Sequence, residues 1–100
     1  MNEAVEAELK TKEARDLYGV LARLTSPKEI ELFLRDLLTF EEIEEAVRRF
    51  QAARMLNKKV PFRQISQKTK MSSATIARVN YWLHHGTGGY RHVLRELDKS

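Results

Sequence analysis

Apolar residues recur at intervals of three and four along most of the chain, the spacing that gathers them on one face of an α-helix. No stretch carries a convincing strand pattern. Val5, Leu9, Leu17, Val20, Leu21 and Leu24 form a stripe along a first helix, with charged residues elsewhere. Ser26, Pro27 and Glu29 start a second: serine suits the N-cap, proline the first helical position, and glutamate three residues on completes a capping box. Ile30, Phe33, Leu34, Leu37 and Leu38 are its expected buried face. Thr39 and Glu42 repeat the capping signature and open a third helix to about Leu56, whose inner face is expected to carry Ile43, Ala46, Val47, Phe50, Ala53 and Leu56. Residues 57–61 read as a loop and Phe62 to Lys68 as a short helix, followed by a tight turn. Ser72 or Ser73 then caps a helix that runs to about His84 and stops at Gly86. After Thr87, Gly88 and Gly89, residues Tyr90, Val93, Leu94 and Leu97 line a last amphipathic helix. An all-α fold of about six helices is expected, without internal repeats.

The 100 residues suffice for one helical domain, 1–100, with a modest core that a partner subunit would complete. The absence of cysteine removes disulfide scaffolds, zinc ribbons and thiol nucleophiles from consideration. No apolar run approaches the roughly 18 residues of a membrane span, and the opening Met-Asn-Glu-Ala-Val-Glu is acidic where a signal peptide is basic. A soluble cytoplasmic protein with no membrane partner is the expectation. Charge alters the picture more than composition does. Residues 1–46 hold 12 acidic and 6 basic side chains, whereas residues 47–100 hold 12 basic and 2 acidic, a change from −6 to +10. Such asymmetry points the second half at a polyanion. Part of it is explained locally, since Glu41, Glu42, Glu44 and Glu45 sit at the positive end of the third helix's dipole and Arg48, Arg49 and Arg54 toward its negative end.

The segment from Phe62 to Leu83 has helix-turn-helix spacing. Ile65 on the first short helix, Met71 after the turn, and Ile76 and Val79 on the second can clamp two helices together. This leaves the N-terminal face of the second helix free to enter a major groove. Ser72, Ser73, Ala74, Thr75, Ala77, Arg78 and Tyr81 stand on that face, small at the front and longer behind. Hydroxyls can bond phosphates or base edges, alanine and the threonine methyl can pack on thymine methyls, and arginine can read guanine. Arg63, Gln64, Gln67, Lys68 and Lys70 surround the face as backbone contacts. Lys70 occupies the turn position where glycine is usual, because φ there is often positive.

The run Met71-Ser-Ser-Ala-Thr-Ile-Ala-Arg-Val-Asn80, with Leu37-Leu-Thr-Phe-Glu-Glu-Ile43 upstream, Arg49 to Leu56 between and His85-Gly-Thr-Gly-Gly-Tyr90 downstream, resembles the Trp repressor superfamily, more closely its YerC/YecD branch. The resemblance covers residues 30 to 97. It implies an intertwined homodimer in which residues 1–56 supply dimerisation helices, 62–84 the helix-turn-helix and 90–98 a C-terminal helix. Val5, Leu9, Leu17, Leu21, Phe33 and Leu34 would be buried between the subunits. It also implies a candidate effector pocket between the central and recognition helices. Arg78 matches one arginine that flanks a bound tryptophan in the family, and Arg49 or Arg48 the other. Val79 and Trp82 stand where co-repressor binders carry glycine and serine, and both would fill the ligand's space. Tryptophan is therefore not expected as a co-repressor and no cofactor is expected, while a small-molecule effector stays open.

Other signals carry less. His84, His85 and His92 are not expected to hold a metal, since neighbouring histidines on a helix point about 100° apart; capping the recognition helix or touching phosphate suits them better. Gly86, Gly88 and Gly89 lack the lysine and hydroxyl of a phosphate-binding loop. Trp82, three residues from Val79, is expected in the core. The sequence thus reads as a double-stranded DNA-binding regulator, a repressor and not an enzyme. The alternative is a protein-interaction module whose helices dock on another regulator.

Overall fold

The computed structural model describes residues 3–99 and contains seven α-helices and no strand among them. These are α1 (Glu3–Glu8), α2 (Lys12–Arg23), α3 (Pro27–Leu37), α4 (Phe40–Asn57), α5 (Phe62–Thr69), α6 (Ser73–His85) and α7 (Gly89–Asp98). They divide into two compact units, residues 1–39 and residues 40–100.

In the first unit the single helix expected over the Val5–Leu24 stripe is two helices, and Thr11 is the reason. Its hydroxyl donates to the Glu8 carbonyl (3.1 Å), closing α1, and accepts from the Ala14 amide (3.2 Å), opening α2. The Tyr18 hydroxyl bonds the Leu9 carbonyl at 3.0 Å and fastens the junction. Helix α3 begins as expected: Ser26 Oγ accepts from the Glu29 amide at 3.1 Å and Pro27 follows. The Glu29 carboxylate reaches back to both hydroxyls, Thr25 (3.1 Å) and Ser26 (3.2 Å), and to the Thr25 amide (3.4 Å), with the Ser26 amide also acting on it. Neither α2 nor α3 buries a residue. The faces expected to be buried remain open in the chain, with Val5, Leu9, Val20, Ile30 and Leu37 all exposed and Leu17, Leu21, Phe33 and Leu34 only half-buried.

The core lies in the second unit. Ala52, Ala53, Ile65, Met71, Ile76 and Val79 form one cluster, with Met55, Leu56, Val60 and Tyr90 packed against it. Helix α4 contacts α5, α6 and α7. It does so through the adjacent alanines, whose small side chains admit neighbouring helices closely, and not through the whole face expected of it: Ala46 is exposed and Val47 is 61% exposed. Ile65 and Ile76 are fully buried, each worth about 1.5–3 kcal/mol relative to exposure. On α7 only Leu94 is fully buried; Val93 and Leu97 face outward, because a ten-residue helix meets the core over one turn. No described helix is long and apolar enough to cross a membrane.

Candidate nucleic-acid interface

Helices α5 and α6 are joined by a turn fastened by the hydroxyls of Ser66 and Thr69. Thr69, buried, donates its hydroxyl to the Ile65 carbonyl (2.8 Å) and accepts from the Met71 amide (3.3 Å). Ser66 Oγ donates to the Met71 carbonyl at 2.7 Å. Lys70 takes the left-handed conformation expected at the glycine position, φ 63° and ψ 19°, while its amide donates to the Ser66 carbonyl. The sequence reading missed Ser66 and Thr69 as the fasteners of this turn. Their hydroxyls three residues apart on a short polar helix were the available signal.

Ser72, and not Ser73, is the N-cap of α6: its Oγ accepts from the Thr75 amide (3.1 Å) and shares a hydrogen bond with Thr75 Oγ1 (2.9 Å). Ile65, Met71, Ile76 and Val79 are buried together, the four positions whose spacing suggested the motif. With Ile76, Val79 and Leu83 turned inward, Ser73, Ala74, Ala77, Arg78 and Tyr81 stand exposed on α6, and Thr75 is half-buried. On α5, Arg63, Gln64, Gln67 and Lys68 are exposed, as is Lys70 in the turn.

Trp82 is not a core residue; it is 39% exposed. The inner position after Val79 goes to Leu83, one full turn on, and Trp82 is rotated about 100° from it. Its ring instead meets Tyr81 edge-on at 5.6 Å, and Tyr81 lies 5.1 Å from His85. The end of α6 is held from α7: Arg91 donates through Nε to the Leu83 carbonyl (3.1 Å) and through Nη2 to the His84 carbonyl (2.9 Å). The sequence reading had offered this role to the histidines. A guanidinium seven residues downstream gives no periodic signal. Among the described residues no group of three or more His, Asp or Glu is arranged to hold a metal.

The residues named for an effector pocket are only partly brought together. Arg48 and Arg49 pair with Glu44 (3.7 Å) and Glu45 (2.7 Å) one turn back on α4. Arg48 lines an open depression of about 400 Å³ with Glu41, Glu44, Glu45, Lys70, Met71, Ser72 and Thr75. Val79 is inside the core, Arg78 is exposed, and neither they nor Arg49 and Trp82 line that depression.

The sequence profile of the family described as Trp repressor protein matches residues 12–98. The uncharacterised protein YerC of Bacillus subtilis (strain 168) is 33% identical over 92 residues, covering 92% of this chain and 88% of its own. Two solved structures share the fold: a TrpR-like protein from Eubacterium eligens ATCC 27750 (TM-score 0.88, 35% identity, 92% and 95% of the chains covered) and a candidate Trp repressor from Staphylococcus aureus (TM-score 0.86, 28% identity, 92% of each).

Proposed function

The chain belongs to the Trp repressor family, and on that premise we propose that it is a cytoplasmic, non-enzymatic repressor that binds double-stranded DNA sequence-specifically as a homodimer. One observation carries the reading. The exposed side of α6 presents Ser73, Ala74, Ala77, Arg78 and Tyr81, its opposite side is locked into the core, and no Asp or Glu occurs anywhere in residues 50–95. A helix that is small-faced, positively framed and rigidly backed has the form required for close approach to base edges.

In this reading α6 enters the major groove. Ser73, Thr75, Ala77 and Arg78 meet bases, with Ala74 and Tyr81 beside them, and Ser72 keeps the helix start intact. Arg63, Gln64, Gln67, Lys68 and Lys70 hold the phosphates that fix orientation. Two copies place their recognition helices about 34 Å apart, in successive major grooves, and read a near-palindrome. The first unit supports the homodimer, because α2 and α3 fully bury no residue and leave apolar faces for a partner to cover. No tryptophan co-repressor is assigned: Val79, buried in the core, stands where the family's co-repressor binders carry glycine, and Arg48 and Arg49 are engaged with glutamates.

Titration of duplex DNA against the protein over a range of salt separates the two kinds of contact. Thr75→Ala or Ser73→Ala is expected to change which sequence binds best. Lys68→Ala is expected to weaken all sequences alike and to reduce the salt slope by about one. Failure of the unaltered protein to bind any duplex above its non-specific background would overturn the reading.

A further inference from the structure

Two residues other than glycine have positive φ among the described residues, and both are lysines: Lys59 (φ 62°) and Lys70 (φ 63°). They bracket α5, one in the loop before it and the other in the turn after it. Lys59 ends a Schellman motif, with its own amide on the Leu56 carbonyl (2.9 Å) and the Val60 amide on the Met55 carbonyl (3.0 Å). Lys70 is the left-handed C-cap of α5 itself. A side chain with a β-carbon is strained in this conformation and glycine is not. The chain uses glycine where the geometry asks only for a left-handed turn, at Gly88 (φ 95°).

Backbone strain kept at two equivalent places by the same residue type directs attention to what that residue supplies. Neither hydrogen bonding nor ion pairing accounts for it. Both side chains are exposed and, among the described residues, neither ammonium has a carboxylate within 4.0 Å, as is also true of Lys58, Arg63 and Lys68 around α5. Glu41, Glu44 and Glu45 share the depression that Lys70 lines, and two of these carboxylates are already paired with Arg48 and Arg49. What remains at each end of α5 is an unpaired positive charge on a rigid backbone. The eight-residue helix separates these ends by about 12 Å.

We propose that Lys59 and Lys70 are a matched pair of phosphate contacts, one at each end of α5, retained in place of glycine at a cost in stability so that the helix is gripped onto the DNA backbone from both sides. The proposal rests on the DNA-binding reading and adds to it a residue, Lys59, that lies outside the helix-turn-helix. First helices of such motifs cross the sugar-phosphate backbone, the position in which charges at both ends are useful.

The test is the set Lys59→Gly, Lys70→Gly and the double variant, each with a melting curve and duplex-DNA affinity measured from low to near-physiological salt. The glycine variants should melt roughly 4 °C higher, since relief of the left-handed strain outweighs the added chain entropy. Each should bind all duplexes more weakly, by roughly fivefold near 0.15 M salt, with the salt slope smaller by about 0.9. Lys59→Arg should restore the slope because it restores the charge. Glycine variants that keep the parent's affinity and slope overturn the proposal, as does a loss confined to one DNA sequence. If the unaltered protein binds no duplex above background, the DNA reading itself falls and takes this pair with it; that outcome is seen before any variant is made.

Discussion

Gly86 shows how a single atom fixes the end of α6. Its amide closes on the Trp82 carbonyl at 2.9 Å, and a β-carbon built there would collide with that same carbonyl. Because the obstacle is backbone, a side chain cannot swing aside. Gly86→Ala is expected to lower stability by about 1–3 kcal/mol in denaturant melts, and a loss under 0.5 kcal/mol would contradict it. A glycine after a helix is easily recognised in sequence as a stop signal. The neighbouring Trp82 was harder to place: intervals of three and four from Val79 both look inward, and only packing decided that Leu83 takes the core position and Trp82 the edge.

At the scale of elements, the starts of helices were the most legible feature. Serine, proline and glutamate at 26, 27 and 29 specify a local hydrogen-bond pattern that needs no tertiary partner, and α3 has it. The Thr25 hydroxyl, then the Thr25 amide and the Ser26 hydroxyl, donate to the Glu29 carboxylate and hold it below its ordinary value of 4.5. A carboxyl lowered in the folded state adds stability above its unfolded value, and this is lost as pH falls through the lowered one. The melting temperature of the parent should therefore exceed that of Glu29→Gln at neutral pH, with the gap closing on acidification through the range below about 4.5. A gap that persists in acid would refute the assignment. The break between α1 and α2 was not legible, because the apolar stripe runs on through it. Thr11 turns the chain with a hydroxyl that serves both helices, a bond that periodicity cannot reveal. On α4, Ala53 and Leu56 of the expected face meet the core, whereas Ala46 and Val47 of that face are exposed and Ala52 is buried beside Ala53.

At the scale of the molecule, the change of charge after residue 46 falls seven residues beyond the division of packing after residue 39, so that Glu41, Glu42, Glu44 and Glu45 belong to the second unit and the two units carry −2 and +6. The acidic first unit has apolar faces and no buried residue among its described helices α2 and α3; the basic second unit has the core. An all-helical fold with a helix-turn-helix was legible because buried positions in a small bundle recur at helical intervals. The exposure of the first unit was not, since a stripe looks the same whether its cover comes from the same chain or another. Sedimentation of the full chain at micromolar concentration should give the mass of two chains, with Leu21→Arg shifting it toward one; a single-chain mass for the parent would remove the homodimer. The central claim, sequence-specific recognition of duplex DNA, is tested most directly by selection from random duplexes at near-physiological salt with no added ligand, followed by sequencing. The account predicts enrichment of a near-palindrome with half-sites about one helical turn apart. Recovery of unenriched sequence would contradict it and favour a module that docks on another protein.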